Sequence, residues 1–129
     1  MFAELFILGF LAHLFADWFL QSDKIADLKN SPRNAQFWEH GLHHLILLLL
    51  VWDLKYWAVA LLVCAFHVYI DTRTPLKWWR AAMKQKQADP QEDAHFNAVA
   101  MHVAFWQDQA AHLLILGIAS KVITLVYGS

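Results

Sequence analysis

Pairs of histidine and aspartate, spaced four residues apart, interrupt the apolar stretches of this chain. The pattern occurs three times, as His13/Asp17, His67/Asp71 and Asp108/His112. Four residues is about one helical turn, so the two members of a pair point in the same direction from their helix. An ionised carboxylate in an apolar setting is costly unless a partner or a metal compensates its charge. The repeated pattern therefore predicts a shared site at which several helices converge.

The composition favours a helical membrane protein of one domain. The 129 residues are 59% hydrophobic and 16% charged, whereas an ordinary soluble domain is about 45–50% apolar and about 25% charged. With four Gly and three Pro, the chain has little sequence for loops and should be mostly helical. The net charge of -1 provides no electrostatic basis for binding nucleic acid. The single Cys64 excludes a disulfide framework.

Four apolar stretches predict an all-α fold, a four-helix transmembrane bundle in which residues 1–129 form a single integral membrane domain. The length of each stretch is close to that of a helix that crosses a bilayer, about 17–25 residues. The polar residues within the stretches leave a soluble helical bundle open as an alternative. Residues 31–34 predict a turn and residues 88–94 a loop. The predicted spans are residues 2–20, 38–54, 56–72 and 109–127, the last with a helical extension towards His95.

The distribution of Lys and Arg predicts the orientation of the spans. Eight of these residues lie in the connections 21–37 and 73–95, whereas Lys55 alone lies between the second and third spans. Positively charged residues accumulate in cytoplasmic loops. We therefore expect a multi-pass protein of the inner (cytoplasmic) membrane with both long connections inside and both termini outside.

Residues 74–87 predict an additional basic helix at the membrane interface. Thr74 is a suitable N-cap, and Pro75 fits the first helical position. The Lys and Arg side chains of this segment can reach anionic headgroups while Trp78 and Trp79 lie deeper in the interface. The alternative interpretation is an ordinary solvated connector.

The predicted orientation brings the unusual polar residues to one depth, just below the cytoplasmic surface. Imidazole and carboxylate ligands together suit Zn, Fe, Mn or Ni better than Mg or Ca. We therefore expect one or two divalent transition-metal ions, with Zn²⁺ favoured, although any single pair could be an interhelical hydrogen-bond clasp. His40 and His95 are interpreted as solvated, and the choice between His43 and His44 stays open. The predicted metal ligands are His13, Asp17, His43, His44, His67, Asp71, Asp108 and His112.

Three residues are candidates for a catalytic role. A catalytic metal site keeps one position open for water or substrate. Asp17 or Asp71 would act as the general base, and Gln21, one turn beyond Asp17, would hold a substrate oxygen or a water molecule. We expect a water-filled polar pocket that opens to the cytoplasm or the inner leaflet and lies beside Asp17, Gln21, His43 or His44, Asp71 and Asp108.

Four motifs resemble, in chain order, those of a bacterial and phage membrane-protein family of unknown function, number 3307. They are HLFADWFLQ at residues 13–21, a histidine early in the second span (His43 or His44), HVYID at residues 67–71 and DQAAH at residues 108–112. Ala16 stands where the family usually has Gly. The pattern is also similar to that of membrane-bound metal-dependent hydrolases, whose His/Asp helices resemble those of zinc-dependent phospholipase C.

These features lead to the expectation of a membrane-embedded metal-dependent hydrolase. Its substrate would be a phosphoester of an amphiphilic molecule in the surrounding lipid, with the basic segment 73–86 holding an anionic headgroup. Two alternatives stay open: a non-catalytic small membrane protein, such as a phage or host-interaction factor with a structural metal or hydrogen-bond centre, and a proton or metal transporter. Polar residues at a single depth disfavour a conduit. The substrate and the oligomeric state are not specified by the sequence.

Overall fold

A ring of four long helices forms the body of the protein. The computed structural model describes residues 1–85 and 94–128, without the side chains of residues 94–101. A 3-10 turn, Leu54–Tyr56, joins the second and third long helices. The described residues form the α-helices α1 (Phe2–Trp18), α2 (Asp23–Leu28), α3 (Ala35–Val51), α4 (Trp57–Asp71), α5 (Thr74–Ala82) and α6 (Ala94–Tyr127). The predicted all-helical fold is confirmed.

The contacts between helices define the order of the ring. Helix α1 packs against α3 and α6, and α4 packs against the same two helices. Leu5 near the start of α1 contacts Trp52 just after α3, and Tyr56 just before α4 contacts Tyr127 at the end of α6. The connection between α3 and α4 is short, so these two helices also run antiparallel. Helices α1 and α4 therefore run in one direction and α3 and α6 in the other. The short helix α2 lies against α3, and α5 lies against α4 and α6.

The observed helices differ from the predicted spans mainly at their ends. Helix α1 ends at Trp18, two residues before the predicted end of the first span, and α3 begins at Ala35, three residues before the second. The predicted turn at 31–34 is confirmed by a hydrogen bond from Asn34 N to the Ser31 carbonyl, 3.0 Å.

Helix α6 begins at Ala94, which confirms the predicted helical extension of the last span. The rest of the predicted loop 88–94, together with Lys86 and the side chain of His95, lies outside the described residues.

The prediction of four full-length spans is corrected to two. Within the described residues, the segments long and apolar enough to cross a membrane are Leu54–Asp71, with 18 residues, and His102–Tyr127, with 26. Helices α1 and α3 have 17 residues each. At a rise of 1.5 Å per residue, each reaches about 25 Å, less than the about 30 Å of a bilayer's hydrocarbon.

Apolar side chains fill one half of the bundle, where α3 ends and α4 begins. The core residues are Leu5, Ala12, Leu48, Trp52, Tyr56, Ala60, Val63, Cys64, Leu116, Ala119 and Ile123. The Trp52 indole N–H donates to the Leu5 carbonyl, 2.8 Å, so the ring is held against α1. A Cβ added to Gly9 would lie 3.0 Å from Trp52 Cζ2. Gly9 therefore allows α1 to approach this ring closely.

Large apolar side chains also cover the outside of the bundle. Leu50 on α3 is 74% exposed and Leu125 on α6 is 68% exposed. The outward-facing set includes Ile7, Leu11, Phe15, Leu42, Ile46, Leu61, Leu62, Phe66, Leu114 and Ile118. A soluble bundle presents charged and polar residues outwards, whereas this one presents leucine, isoleucine and phenylalanine.

The predicted basic helix exists as α5, but it begins differently from the prediction. Arg73, rather than Thr74, is the N-cap, and its φ of 61° is left-handed. Pro75 is therefore the second helical residue, one position later in the first turn than predicted. The left-handed residue turns the chain between α4 and α5, and α5 packs against α4 and α6.

One arginine of α5 packs inwards. Arg80 is buried, and its Nη1 donates to Gln107 Oε1 on α6 at 2.8 Å. The expectation that this side chain reaches lipid headgroups is therefore wrong. Trp78 and Trp79 are exposed, 71% and 50% respectively.

Candidate metal centre

The half of the bundle opposite the apolar core contains histidine and aspartate side chains from all four long helices. Helices α1 and α4 contribute residues from their last turns, α3 from its first turns and α6 from a turn within its length. The buried members, each at most 7% exposed, are His13, Asp17, His40, His44, His67, Asp71 and His112. Asp108 is partly buried, with 23% of its side chain exposed. The structure thus brings the three predicted His/Asp pairs into one cluster.

Asp17 lies among histidines from α1, α3 and α4. Its Oδ1 is 3.1 Å from His40 Nε2, 3.3 Å from His44 Nε2 and 3.9 Å from His67 Nε2. Its Oδ2 is 3.4 Å from His13 Nε2 on the same helix. Every one of these contacts uses the Nε2 atom, so the rings point their outer nitrogens at one carboxylate.

Asp71 has a similar environment on the other side of His40 and His67. Its Oδ2 lies 3.1 Å from His40 Nε2 and 3.2 Å from His67 Nε2. Its Oδ1 lies 3.6 Å from His112 Nε2. His40 and His67 therefore lie between the two aspartates.

Backbone carbonyls fix the tautomer of two histidines. His44 Nδ1 donates to the His40 carbonyl at 3.0 Å, and His112 Nδ1 donates to the Asp108 carbonyl at 2.8 Å. A carbonyl oxygen only accepts hydrogen bonds, so Nδ1 carries the proton and the neutral ring has a lone pair on Nε2. Metal-binding histidines are commonly oriented in this way.

Several buried atoms of the cluster have no hydrogen-bond partner. They include His44 Nε2 and His112 Nε2, whose lone pairs face the carboxylates of Asp17 and Asp71 with no proton between them. Buried polar atoms without partners are rare, because each leaves a desolvation cost uncompensated. A cation at this place would coordinate these lone pairs.

Three groups of side chains could hold a metal ion, because within each group the ligand atoms lie within 4.8 Å of one another. The groups are His13, Asp17, His44 and His67; His40, His67 and Asp71; and Asp71, Asp108 and His112. Nitrogen ligands about 2.0–2.1 Å from a tetrahedral ion are about 3.3 Å apart. Most contacts of the cluster are close to this spacing, including the 3.1 Å between His40 Nε2 and His67 Nε2.

Lys29 adds a positive charge to the cluster. This residue follows the short helix α2, and its Nζ lies 3.5 Å from Asp71 Oδ2, 4.0 Å from Asp17 Oδ1 and 3.4 Å from His40 Nε2. The sequence analysis treated Lys29 only as a marker of orientation. No periodicity connects it to the His/Asp pairs, because α2 belongs to a connection between the long helices.

His40 lies inside the cluster, although its position near a helix end predicted a solvated residue. The interpretation as a solvated residue is wrong, since the ring is completely buried and contacts both aspartates. A signal was present, because His40 and His44 have the same four-residue spacing as the three recognised pairs.

Two predicted site residues lie outside these groups. His43 is partly buried and is not a member of any of the three metal groups, so the structure favours His44 over His43 as a ligand. Gln21 is partly buried, and its Oε1 is a buried atom without a hydrogen-bond partner. Its role as a substrate-positioning residue stays a prediction.

A small cavity adjoins the cluster on its apolar side. Its volume is about 10 Å³, room for about one water molecule. Its walls are formed by His13, His44, Leu48, Val63, Cys64, His67, His112, Ile115 and Leu116. Of the residues expected beside a water-filled pocket, His44 lines this cavity, whereas Asp17, Gln21, Asp71 and Asp108 do not.

The fold and the cluster together define a class: an all-helical bundle that is apolar outside and holds a buried histidine–aspartate centre. The chain belongs to the family described as "Protein of unknown function (DUF3307)", whose model matches residues 5–129. This match confirms the family resemblance of the sequence motifs. No curated protein and no solved structure matches the chain, and the similarity to metal-dependent hydrolases stays a prediction.

Proposed function

We propose that this protein is an integral protein of the cytoplasmic membrane whose function depends on a divalent transition metal, with zinc favoured. Ligands for the ion would come from the His/Asp cluster. The observation that carries the proposal is the convergence of Nε2 and carboxylate oxygen atoms from four helices, among which His44 Nε2 and His112 Nε2 are buried and have no hydrogen-bond partner.

The distribution of side chains supports a membrane location for all four long helices. The outward faces of α1 and α3 carry Leu11, Phe15, Ile46 and Leu50, all about half exposed or more, although both helices are shorter than a full span. Short spans are accommodated by thinning of the bilayer or by anchoring residues at their ends. Both termini would lie outside, as the Lys and Arg distribution predicts.

The donor atoms support a transition metal over calcium or magnesium. The cluster offers five imidazoles and three carboxylates, and imidazole suits Zn, Fe, Ni and Cu, whereas Mg and Ca prefer oxygen. The carbonyl-bound Nδ1 atoms of His44 and His112 support the same conclusion, because they leave Nε2 free to coordinate.

The activity that we propose for this centre is hydrolysis of a phosphoester in an amphiphilic substrate. A bound metal there would polarise the substrate and lower the pKa of water. Asp17 or Asp71 would accept a proton, and the unpartnered Oε1 of Gln21 would accept a hydrogen bond from the attacking water. A substrate requires more room than the 10 Å³ cavity, so the cytoplasmic end of the bundle would have to open.

The small cavity favours a second candidate, a non-catalytic membrane protein in which the metal links four helices. The rate of hydrolysis of a chromogenic phosphodiester, measured in detergent micelles, distinguishes the two candidates. Hydrolysis of this substrate by the metal-loaded protein, if a chelator abolishes it, would support the enzyme. Equal background rates with and without metal would favour the linking role.

Metal content tests the proposal directly. The protein purified in detergent should contain a transition metal by elemental analysis, and Asp71→Asn and His67→Gln should lose most of it. His102→Gln is the matched control, because His102 lies on the exposed face of α6. Metal content in both cluster variants equal to that of the control would overturn the proposal.

A further inference from the structure

We infer that the cluster holds two metal ions of unequal affinity, an inference that rests on the proposed metal-dependent function. One site is rich in histidine and the other in carboxylate. The histidine-rich site consists of His13, Asp17, His44 and His67, and the carboxylate-rich site of Asp71, Asp108 and His112.

The number two follows from how the ligands are shared. The histidine-rich and carboxylate-rich sites have no residue in common, so both can be filled at once. The third group, which also contains His40, shares His67 with the histidine-rich site and Asp71 with the carboxylate-rich site. A third ion would therefore have to take ligands from both occupied sites. Among the described residues, two ions are the largest number that these groups hold with separate ligands.

The carboxylate-rich site is more than a pair of acidic residues. His112 is 3% exposed, and its Nε2 has no hydrogen-bond partner. This atom lies 3.6 Å from Asp71 Oδ1, and the Asp108 carbonyl fixes the tautomer that frees its lone pair. Asp71 is 6% exposed, and its Oδ1 is the carboxylate oxygen that faces His112 Nε2. The buried Nε2 lone pair without a partner, beside this oxygen, therefore points to a ligand here.

The donor sets predict the order of affinity. Four side chains complete a tetrahedral shell, and the histidine-rich site offers four that are all buried. The carboxylate-rich site offers three, and the Asp108 side chain is 23% exposed. Solvent or an exogenous anion would complete that second shell, which makes the second ion the exchangeable one.

Lys29 weakens the second ion further. Its Nζ is 3.5 Å from Asp71 Oδ2, nearer than its 4.0 Å approach to Asp17 Oδ1. A fixed positive charge repels a divalent cation, and the repulsion grows as the distance and the local dielectric constant fall. Lys29 therefore compensates the Asp71 carboxylate when the second ion is absent and opposes that ion when it binds.

Titration of the metal-free protein in detergent with zinc tests the inference. We expect two zinc ions per chain at saturation, in two classes whose dissociation constants differ by about tenfold or more, the scale on which ligand surroundings change metal affinity. Asp108→Asn should abolish the weak class and retain the tight one. Lys29→Met should tighten the weak class, and His102→Gln should leave both unchanged. If Asp108→Asn does not give a helical, monodisperse protein, His112→Gln takes its place.

The outcomes separate this inference from the proposed function. A single zinc ion at saturation would overturn the two-ion inference and leave the metal function standing. An absence of zinc binding would overturn both. Loss of both ions in a folded Asp108→Asn protein would show that the sites are not separate, and weaker binding of the second ion in Lys29→Met would contradict the repulsion. Each of these two results would overturn the inference as stated.

Discussion

The Nε2 atoms of His40 and His67 face each other at 3.1 Å inside the bundle. Both lie within 3.2 Å of the same oxygen, Asp71 Oδ2. Two neutral imidazoles in this position either share one proton or direct two lone pairs at one cation. In both cases His40 completes the environment of a buried carboxylate.

Replacement of His40 should therefore be costly. His40→Leu removes the imidazole nitrogen that lies 3.1 Å from an oxygen of Asp17 and 3.1 Å from an oxygen of Asp71. Removal of a hydrogen-bond partner from a buried polar group costs about 1–3 kcal/mol of stability, and more when the group is charged. Metal affinity should fall by about tenfold or more. His43→Leu, three residues along the same helix and outside the metal groups, is the control. Equal unfolding midpoints and equal metal content for the two variants would contradict the role of His40.

Removal of the metal should destabilise the fold. A ligand that binds only the folded state stabilises it by about 2.7 kcal/mol when its concentration is 100 times its dissociation constant. Chelator should therefore lower the thermal midpoint of the purified protein in detergent. The thermal midpoint of the His67→Gln variant should change little on the same treatment. A fall in this midpoint as large as in the parent protein would show that the chelator acts elsewhere than at the cluster.

Two glycines should respond oppositely to alanine. At Gly9 a Cβ would lie 3.0 Å from Trp52 Cζ2, on a ring held by its hydrogen bond to Leu5, so Gly9→Ala should destabilise by about 1–3 kcal/mol. At Gly117 the nearest atom, Phe6 Cε2, is 3.8 Å away. Gly117→Ala should stabilise by about 0.5–1 kcal/mol, because glycine is the weaker helix former. Denaturation in detergent measures both, and a stabilised Gly9→Ala protein would show that Trp52 moves freely.

Cysteine labelling tests the four-span orientation. Cys64 is buried, so Cys64→Ala gives a clean background for single cysteines at exposed positions. Arg33→Cys should react with an impermeant reagent only after the cells are permeabilised, and Lys55→Cys should react in intact cells. The reversed pattern would invert the orientation. Release of the protein without detergent would exclude a membrane protein altogether.

The main features that the sequence allowed us to predict are local. A four-residue spacing of His and Asp depends only on helical geometry, so the inward direction of His13/Asp17 and His67/Asp71 could be derived without a structure. The apolar composition was sufficient to predict the helices themselves. Their ends were less predictable, because hydropathy does not mark them: α1 ends at Trp18 although Phe19 and Leu20 continue the apolar stretch.

The features that escaped prediction depend on contacts between distant parts of the chain. Lys29 enters the cluster because α2 packs against α3, and no local pattern specifies that packing. Arg80 turns inwards because Gln107, 27 residues away, accepts its hydrogen bond. His40 is different, since its spacing from His44 was visible and the error was to judge the residue by its position near a helix end.

The arrangement of apolar outer faces around polar interior residues has a consequence for biosynthesis. In the four-span arrangement that we propose, α1 emerges from the ribosome with His13 and Asp17 before any histidine of α3 has been made. At about 5–20 residues per second, the first partner of that carboxylate from another helix appears seconds later. Until then the nascent helix carries an acid that has only His13 of its own helix beside it, which lipid disfavours. We therefore expect α1 to stay near the protein-conducting channel until α3 has been synthesised. The helices would then enter the lipid in pairs.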